Sequence, residues 1–525
     1  MSYFLKPAAC RGLLLTVILW AATTAHGQII ITNFPGLTLN NVTALGTGGT
    51  PPDTMGAAGT NQFVEFINGG FAVYNKSGVQ QSLVSDIAFW ENAGISSNTI
   101  AAGLTDTRVI YDAGSGRWIA TELTTEAITN TILLARSDTS DPGGTWKAVS
   151  LKASTTDFGD FDTLDVDSQG IYIAVNDFNS AGGFDAVSLF SIPKADILAA
   201  TPSLSNLTRF DNLNADTYGF SPQGVCNPDA GPGHGVICAI DNVNLKVIDR
   251  TTINGANASG ATLSTPVLIN CTFDAVPNAA HQPSGKTIDA GDDRFSAAIR
   301  QIGNYIFMAN CVLQGTKDAV HWLVLNETNN TVVGEGIISD ATYDYYYPSI
   351  AANHKGNILL AFNRSGTVSP AGDISIYAAV GAITGNIVTM GSPFLLNAGT
   401  IRNYALSFDK TPYRWGDYSA TMLDPTDDNL LWTIQEIPAA ANNWGTQITL
   451  ISMATNRPTL GITRSGSAIN LAWPLSTDPA YVLQSNTNLL LNTWTTLTNR
   501  PVFSINQNIV TLTVTNRPLF FRLKK

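Results

Sequence analysis

Apolar residues in this chain come in short runs, each closed by a turn rich in Gly, Asn or Asp. In "GRWIATEL" (116–123) and "GIYIAVND" (170–177), β-branched and aromatic residues follow a glycine turn, the pattern of the return strand of a β-hairpin. The same unit recurs: a polar or aromatic start, a short apolar strand, a turn, then a second apolar strand. Copies begin at Pro52, Asp106, Phe161, Ser221, Asp293, Tyr347 and Gly416, which makes seven, with starts 54 to 72 residues apart. Further strand-like runs lie between them, such as "NTILLARS" (130–137), "AVSLFSI" (186–192) and "VHWLVLN" (320–326). Two hairpins per repeat make a four-stranded sheet. Seven such sheets set radially make a seven-bladed β-propeller, which leaves only short, protected edges.

Helical periodicity is nearly absent, and "KADILAA" (194–200) is one or two turns at most. A pair of β-sandwiches is the competing all-β architecture, but it does not account for a recurrence at this spacing. Near residue 457 the texture changes to five or six short strands, with Trp473, Tyr481, Trp494 and Phe521 as the expected core. The expected organisation is a signal peptide over 1–27, the propeller over 28–456 and a small C-terminal β-sandwich over 457–525, joined near 454–458.

The signal peptide rests on Lys6 and Arg11, an apolar run at 12–22 too short to span a bilayer, and small residues at Ala25 and Gly27. Cleavage is expected after Gly27, giving a secreted or cell-surface protein without a membrane span in the mature chain. Of 525 residues 44% are hydrophobic and only 13% charged, so the chain is globular and its polarity lies in uncharged turn residues. The formal net charge of −12 repels phosphate backbones and argues against nucleic acid as a partner. Beyond the signal peptide four cysteines remain, and an even count in an exported chain suggests two disulfides. Cys226–Cys238, flanking the turn-rich 227–235, and Cys271–Cys311 are the expected pairs. Four buried thiols are the alternative.

"SDTSDPGGTW" (137–146) places Thr139, Asp141, Gly143, Thr145 and Trp146 in the pattern S/T-x-D-x-G-x-T-W. This resembles the Asp box of sialidase-like propellers. The resemblance implies that Asp141 and the hydroxyls tie off a hairpin turn while Trp146 packs into the blade. More broadly, 51–78, "YYYPSIAANHKGNILLAFNRSG" (345–366) and "RWGDYSATMLDP" (414–425) look like a group of secreted bacterial propeller proteins, a likeness spanning most of 45–455. The C-terminal segment resembles β-sandwich modules appended to exported bacterial proteins.

If each repeat opens with the innermost strand of its blade, the opening polar residues gather on one rim. Those are Asp53, Asp106, Arg108, Asp162, Asp293, Arg294, Tyr347, Arg414, Asp417 and Tyr418. Three arginines suit a clamp on an acidic glycan. The sialidase resemblance implies a Tyr nucleophile with an Asp acid/base, for which Tyr347 or Tyr418 with Asp53 or Asp106 are the candidates. The chain departs from that family in having a single Asp box, no Arg-Ile-Pro motif and seven repeats rather than six. The structural alternative is that these charges pair with one another and cap strand ends. "DFGDFDTLDVD" (157–167) holds five Asp in eleven residues, so Asp160, Asp162 and Asp165 are candidates for a structural Ca²⁺, although the segment lacks the EF-hand pattern and equally suits a solvated strand. No other cofactor is expected. The expected function is binding of an extracellular glycan or protein by a monomer at the propeller mouth. A sialidase-like or other carbohydrate-active hydrolase or lyase and a structural envelope component are the alternatives.

Overall fold

The computed structural model describes residues 29–229, 234–272, 275–406 and 410–453. In the C-terminal region it describes 460–466, 468–474, 481–487, 493–499, 501–504, 507–513 and 519–524. The expected signal peptide and the joint near 454–458 lie outside the described residues. The chain is almost entirely strand, arranged as successive antiparallel meanders. The first runs Gly56–Ala58, Gln62–Ile67, Gly70–Asn75, Gln80–Val84, and the second Leu104–Asp112, Arg117–Thr124, Thr131–Ser137, Trp146–Lys152. Others follow from Phe158, Phe220, Ile299, Tyr343 and Ala420. The meanders that begin at Phe220 and Ile299 share one sheet, because their first strands pair in parallel (Val225 opposite Ile299, Cys226 opposite Arg300).

First strands touch first strands around a closed circuit. Gly56–Ala58 meets Leu104–Asp112, which meets Asp165–Val166, then Phe220–Cys226, Ile299–Ile302, Tyr343–Ala352 and Ala420–Leu423, which returns to Gly56–Ala58. The sheets therefore stand face to face, and the inner strands are buried on both sides. Alternation along a strand chooses a neighbour rather than solvent: Trp118 and Ala120 enter one core while Ile119 and Leu123 enter the next. Ile358, Leu360 and Phe362 likewise face one neighbour, and Leu359 and Ala361 the other. This is why the strands read as continuous apolar runs.

The ring is closed by Ile29–Thr38, which adds to the outer edge of the last sheet beside Asn443–Ser452. Buried Glu65 fastens the seam. It accepts the Leu37 amide (3.0 Å) and the Tyr74 hydroxyl (2.9 Å), and the Thr446 hydroxyl also bonds to it. Burial raises the Glu65 carboxyl to about 7. The helix at 194–198 is the short turn expected, but Asp86–Asn92 is also helical, capped by Ser85 Oγ on the Ala88 amide (3.1 Å). It delivers Phe89 and Trp90 into an aromatic cluster with Phe66, Phe71 and Trp146. In the C-terminal region two sheets form, one of Gly461–Ser465, Ala468–Pro474, Gln507–Thr513 and Val502–Ser504, the other of Thr495–Thr496, Val482–Asn486 and Phe520–Lys524. Trp473 is buried with Leu471, Leu483 and Val510, while Trp494 carries the Arg522 guanidinium over its ring at 4.3 Å.

The disulfide expectation is corrected: Cys226, Cys238, Cys271 and Cys311 are all buried thiols. Cys238 lies opposite Gln223, not Cys226, and the two sulfurs enter different cores. Cys271 and Cys311 are likewise divided between two cores, whereas a disulfide needs Cα atoms within about 7 Å and converging Cβ vectors. Titration of the unfolded, non-reduced protein should therefore find all four of these thiols reactive. Reactivity that appears only after reduction would restore the bridges.

Candidate functional site

One backbone device sets the upper end of the ring. Asp53, Asp106, Phe161, Ser221 and Tyr347 all hold positive φ, between 47° and 61°, each ahead of or within an inner strand. The pairing register breaks at the same place in three sheets, between Thr105 and Arg108, Phe220 and Gln223, and Tyr346 and Ser349. Such bulges kink the strand and re-aim side chains. In the last repeat Gly416 occupies the corresponding turn, where a Cβ would lie 3.0 Å from Glu436 Oε2.

The bulges bring most of the expected rim residues together. Asn68, which sequence reasoning did not select, is their hub. Its Nδ2 donates to Asp53 Oδ2 (2.7 Å) and its Oδ1 accepts the Asp106 amide (2.9 Å). Asp53 Oδ1 accepts the Asp417 amide (3.1 Å), and Asp106 Oδ2 accepts the Phe161 amide (2.8 Å). Burial, then Asp417 and Asp106, hold the Asp53 carboxyl well above its ordinary range. Burial with the same two neighbours raises Asp160 to about 7, and burial raises Asp162 to about 8. Burial also raises the Tyr347 and Tyr418 phenols, so both stay protonated at neutral pH.

Arg108 crosses the axis of the ring. Its Nε donates to Asp162 O (2.8 Å) and its Nη1 to Ser296 O (3.2 Å). Its Cζ sits 3.4 Å from the Tyr418 ring centroid, and the Tyr418 hydroxyl donates to Thr107 O (2.9 Å). A planar cation stacked on a phenol and tied to carbonyls of two other repeats fills the space between them. Arg294 is bound in fork fashion to Asp292 (2.7 and 2.5 Å) and lies over Phe161, while Arg414 reaches Asp417 at 3.4 Å. Asp293 does not line the space these residues leave, and its backbone carbonyl accepts Asn310 Nδ2 (2.8 Å). The space left among Phe161, Arg294, Tyr347 and Asp417 is about 30 Å³, room for about one or two water molecules.

The Ca²⁺ candidates do not converge. Asp162 accepts the Thr121 hydroxyl (2.5 Å), and fully buried Asp165 faces Arg300 and Arg108, with burial raising it to about 8. Among the described residues no group of three or more His, Cys, Asp or Glu is placed to hold a metal ion. In the 139–146 turn, Thr139 Oγ1 accepts the Asp141 amide (3.2 Å) and Asp141 Oδ1 the Gly143 amide (3.0 Å). Trp146 donates to Pro142 O (2.9 Å) and packs against Phe71 and Phe89. The turn joins the two outer strands of its sheet, away from the channel.

At the opposite end of the inner strands lies a cavity of about 300 Å³. Its walls are the strand ends Ala58, Tyr111, Cys226, Ile302, Ala352 and Met422, and its polar groups come from the turns beyond them. Arg300 reaches its wall, and among the described residues the Arg300 Nε has no hydrogen-bond partner. Asp424, also on the wall, is paired with Lys76 (2.8 Å) and accepts Trp432 Nε1 (2.8 Å). His354 stands between Asp229 and Asp428, at 2.9 and 2.6 Å. Sequence reasoning did not select this set, because it looked to the residues that open each repeat, whereas these sit at or beyond the far end of the first strand, mostly in the turns.

Radial four-stranded meanders, a closed circuit of inner strands and an N-terminal strand completing the last sheet make this a β-propeller protein. No protein-family model and no curated protein matches the chain. Among solved structures it is similar to the Hadza microbial sialidase Hz136, with 12% identity and a TM-score of 0.37 over 75% of this chain and 64% of that one, less than two thirds of its length. It is also similar to the NanB sialidase from Streptococcus pneumoniae, with 8% identity and a TM-score of 0.38 over 74% of this chain and 82% of that one. The polysaccharide lyase Uly1 is 9% identical, with a TM-score of 0.31 over 64% of this chain and 88% of that one. Among the described residues no helix is long and apolar enough to cross a membrane.

Proposed function

We propose that this chain is an exported, monomeric seven-bladed β-propeller, followed by a small C-terminal β-sandwich, that binds an extracellular glycan or protein segment in the cavity formed by the inner-strand ends and their turns. The contrast between the two mouths carries the reading. The end bearing the bulges leaves about 30 Å³ among paired charges, while the other leaves about 300 Å³, the lower bound of a small-molecule pocket. Aromatic Tyr111, apolar strand ends and the Arg300 guanidinium supply the usual mixture of shape and orientation. Asp53, Asp106, Tyr347 and Tyr418 serve as closing elements of the ring in this reading, and the 139–146 turn as an Asp box with a structural role.

A glycan array paired with a panel of chromogenic glycosides tests it. Binding is expected to fall at least about tenfold in Arg300→Ala and to be unchanged in Arg294→Ala and Arg414→Ala. Binding that survives Arg300→Ala and disappears in the two rim variants would return the site to the upper rim. Glycoside turnover would favour an enzyme over a binder.

A further inference from the structure

The Asp229–His354–Asp428 bridge joins three separate parts of the ring at the edge of the cavity. Asp229 follows the Phe220–Cys226 strand, His354 lies in the turn after Tyr343–Ala352, and Asp428 lies in the turn between Ala420–Leu423 and Leu430–Ala440. Imidazole Nε2 lies 2.9 Å from Asp229 Oδ1, and Nδ1 lies 2.6 Å from Asp428 Oδ1. A neutral imidazole carries a single N–H, so only the imidazolium donates to both carboxylates. We propose that Asp229, His354 and Asp428 form a protonation-dependent latch on the cavity mouth, closed while the ring carries both protons and opened when one leaves. This rests on the cavity being the ligand site and adds how access to it is regulated.

The geometry also says which side opens. Asp428 is held to the His354 turn twice more, by the His354 amide on its Oδ1 (3.0 Å) and by Asn353 Nδ2 on its carbonyl (2.6 Å). Among the described residues Asp229 has no such tie to that turn; its second oxygen accepts the Gly303 amide (2.8 Å). Loss of the proton leaves a ring lone pair facing a carboxylate oxygen, so the Asp229 contact breaks and the Asp428 contact stays. The other charges around the group are fixed. Asp424 is paired with Lys76, Lys355 donates to Asn429 Oδ1 (2.5 Å), Asp427 accepts the Asn429 amide (2.9 Å), and Arg300 stands on the cavity wall. The Asp229 hydrogen bond raises the His354 pKa above its ordinary value. The latch is therefore closed below the ordinary histidine range, about pH 6.5, and releases as pH rises through the raised value.

Cys226 lines the same cavity and reports access without any ligand. Its alkylation by iodoacetamide, read by mass spectrometry of the Cys226 peptide, is compared between His354→Gln and the unsubstituted protein at about pH 5.5 and about pH 9. The titration of the thiol cancels in that ratio. A ratio of at least about tenfold at the lower pH, falling toward one at the higher, is expected, with Asp229→Asn behaving like His354→Gln. Equal ratios at both pH values overturn the latch. That outcome is read without any ligand and so is distinct from failure of the glycan array, which would overturn the ligand reading and, with it, the latch's part in regulating ligand access.

Discussion

Replacing Arg108 with alanine is expected to lower the stability of the propeller by about 3–5 kcal/mol, the usual cost of deleting one partner of a buried charged network. Arg108 is 2% exposed, and its guanidinium donates to carbonyls in two other repeats and stacks on Tyr418. It is also one of the positive charges that restrain Asp162 and Asp165. Its removal takes the Arg108 donor from the Asp162 carbonyl, leaves the Ser296 carbonyl with Gln223 Nε2 alone (3.4 Å), opens a void between the repeats, and pushes both carboxyls further toward the neutral form. Arg108→Lys is expected to recover little, because an ammonium lacks both the fork and the flat face that meets the phenol. Chemical denaturation with the midpoint read for all three proteins checks this. An alanine variant within about 0.5 kcal/mol of the parent, the range of an ordinary surface substitution, would show that Arg108 does not hold the ring.

The second large effect is a dependence of stability on pH. Burial raises Asp162 and Asp165 to about 8, and Asp160 and Glu65 to about 7. In the unfolded chain these groups titrate at about 4. Between those limits the folded state binds more protons than the unfolded one, so stability falls as pH rises. The contribution is fully present below about pH 4 and is lost through pH 7–8. Asp424 has the opposite sign. Burial raises it, but Lys76 and its hydroxyl and indole partners outweigh burial and lower it, so its contribution is lost in acid. The melting temperature should therefore be highest in mildly acidic buffer and decline toward pH 8.5. Asp165→Asn, which removes an ionisable group facing the Gly224 backbone, should be more stable than the parent at pH 8.5 and close to it at pH 5. A melting temperature that rises steadily from pH 5 to pH 8.5 would contradict the assignment of these carboxyls as neutral.

The latch and the buried carboxyls favour the closed, compact form under the same mildly acidic conditions. They do so through different groups, one at the solvent edge and the others inside the ring. A variant series at His354 and at Asp165 separates them.

Much of the ring was legible in the chain. Glycine turns before "RWIATEL" and the alternation that follows place hairpins where the meanders stand, because local propensity and period-two patterning act within a few residues. Most of the residues opening the repeats do meet, Asp293 excepted, since an inner strand begins where a turn releases it. The helix Asp86–Asn92 had its signal, Ser85 as cap and Gly94 as stop, but its seven residues were too few for a helical period to stand out.

What tertiary structure alone decided is the long-range part. Nothing near Ile29–Thr38 announces that it will pair with a strand more than 400 residues later, because closure depends on where the ring ends. Cys226 and Cys238 are near in sequence and on adjacent strands, yet register sends their sulfurs into different cores. The sequence by itself determined the repeat, the strands and the list of charges. Which charges were spent on closing one end, and which residues were left around space at the other, followed from left-handed bulges and the meeting of distant turns. Those are properties of the packed ring, and no local pattern encodes them.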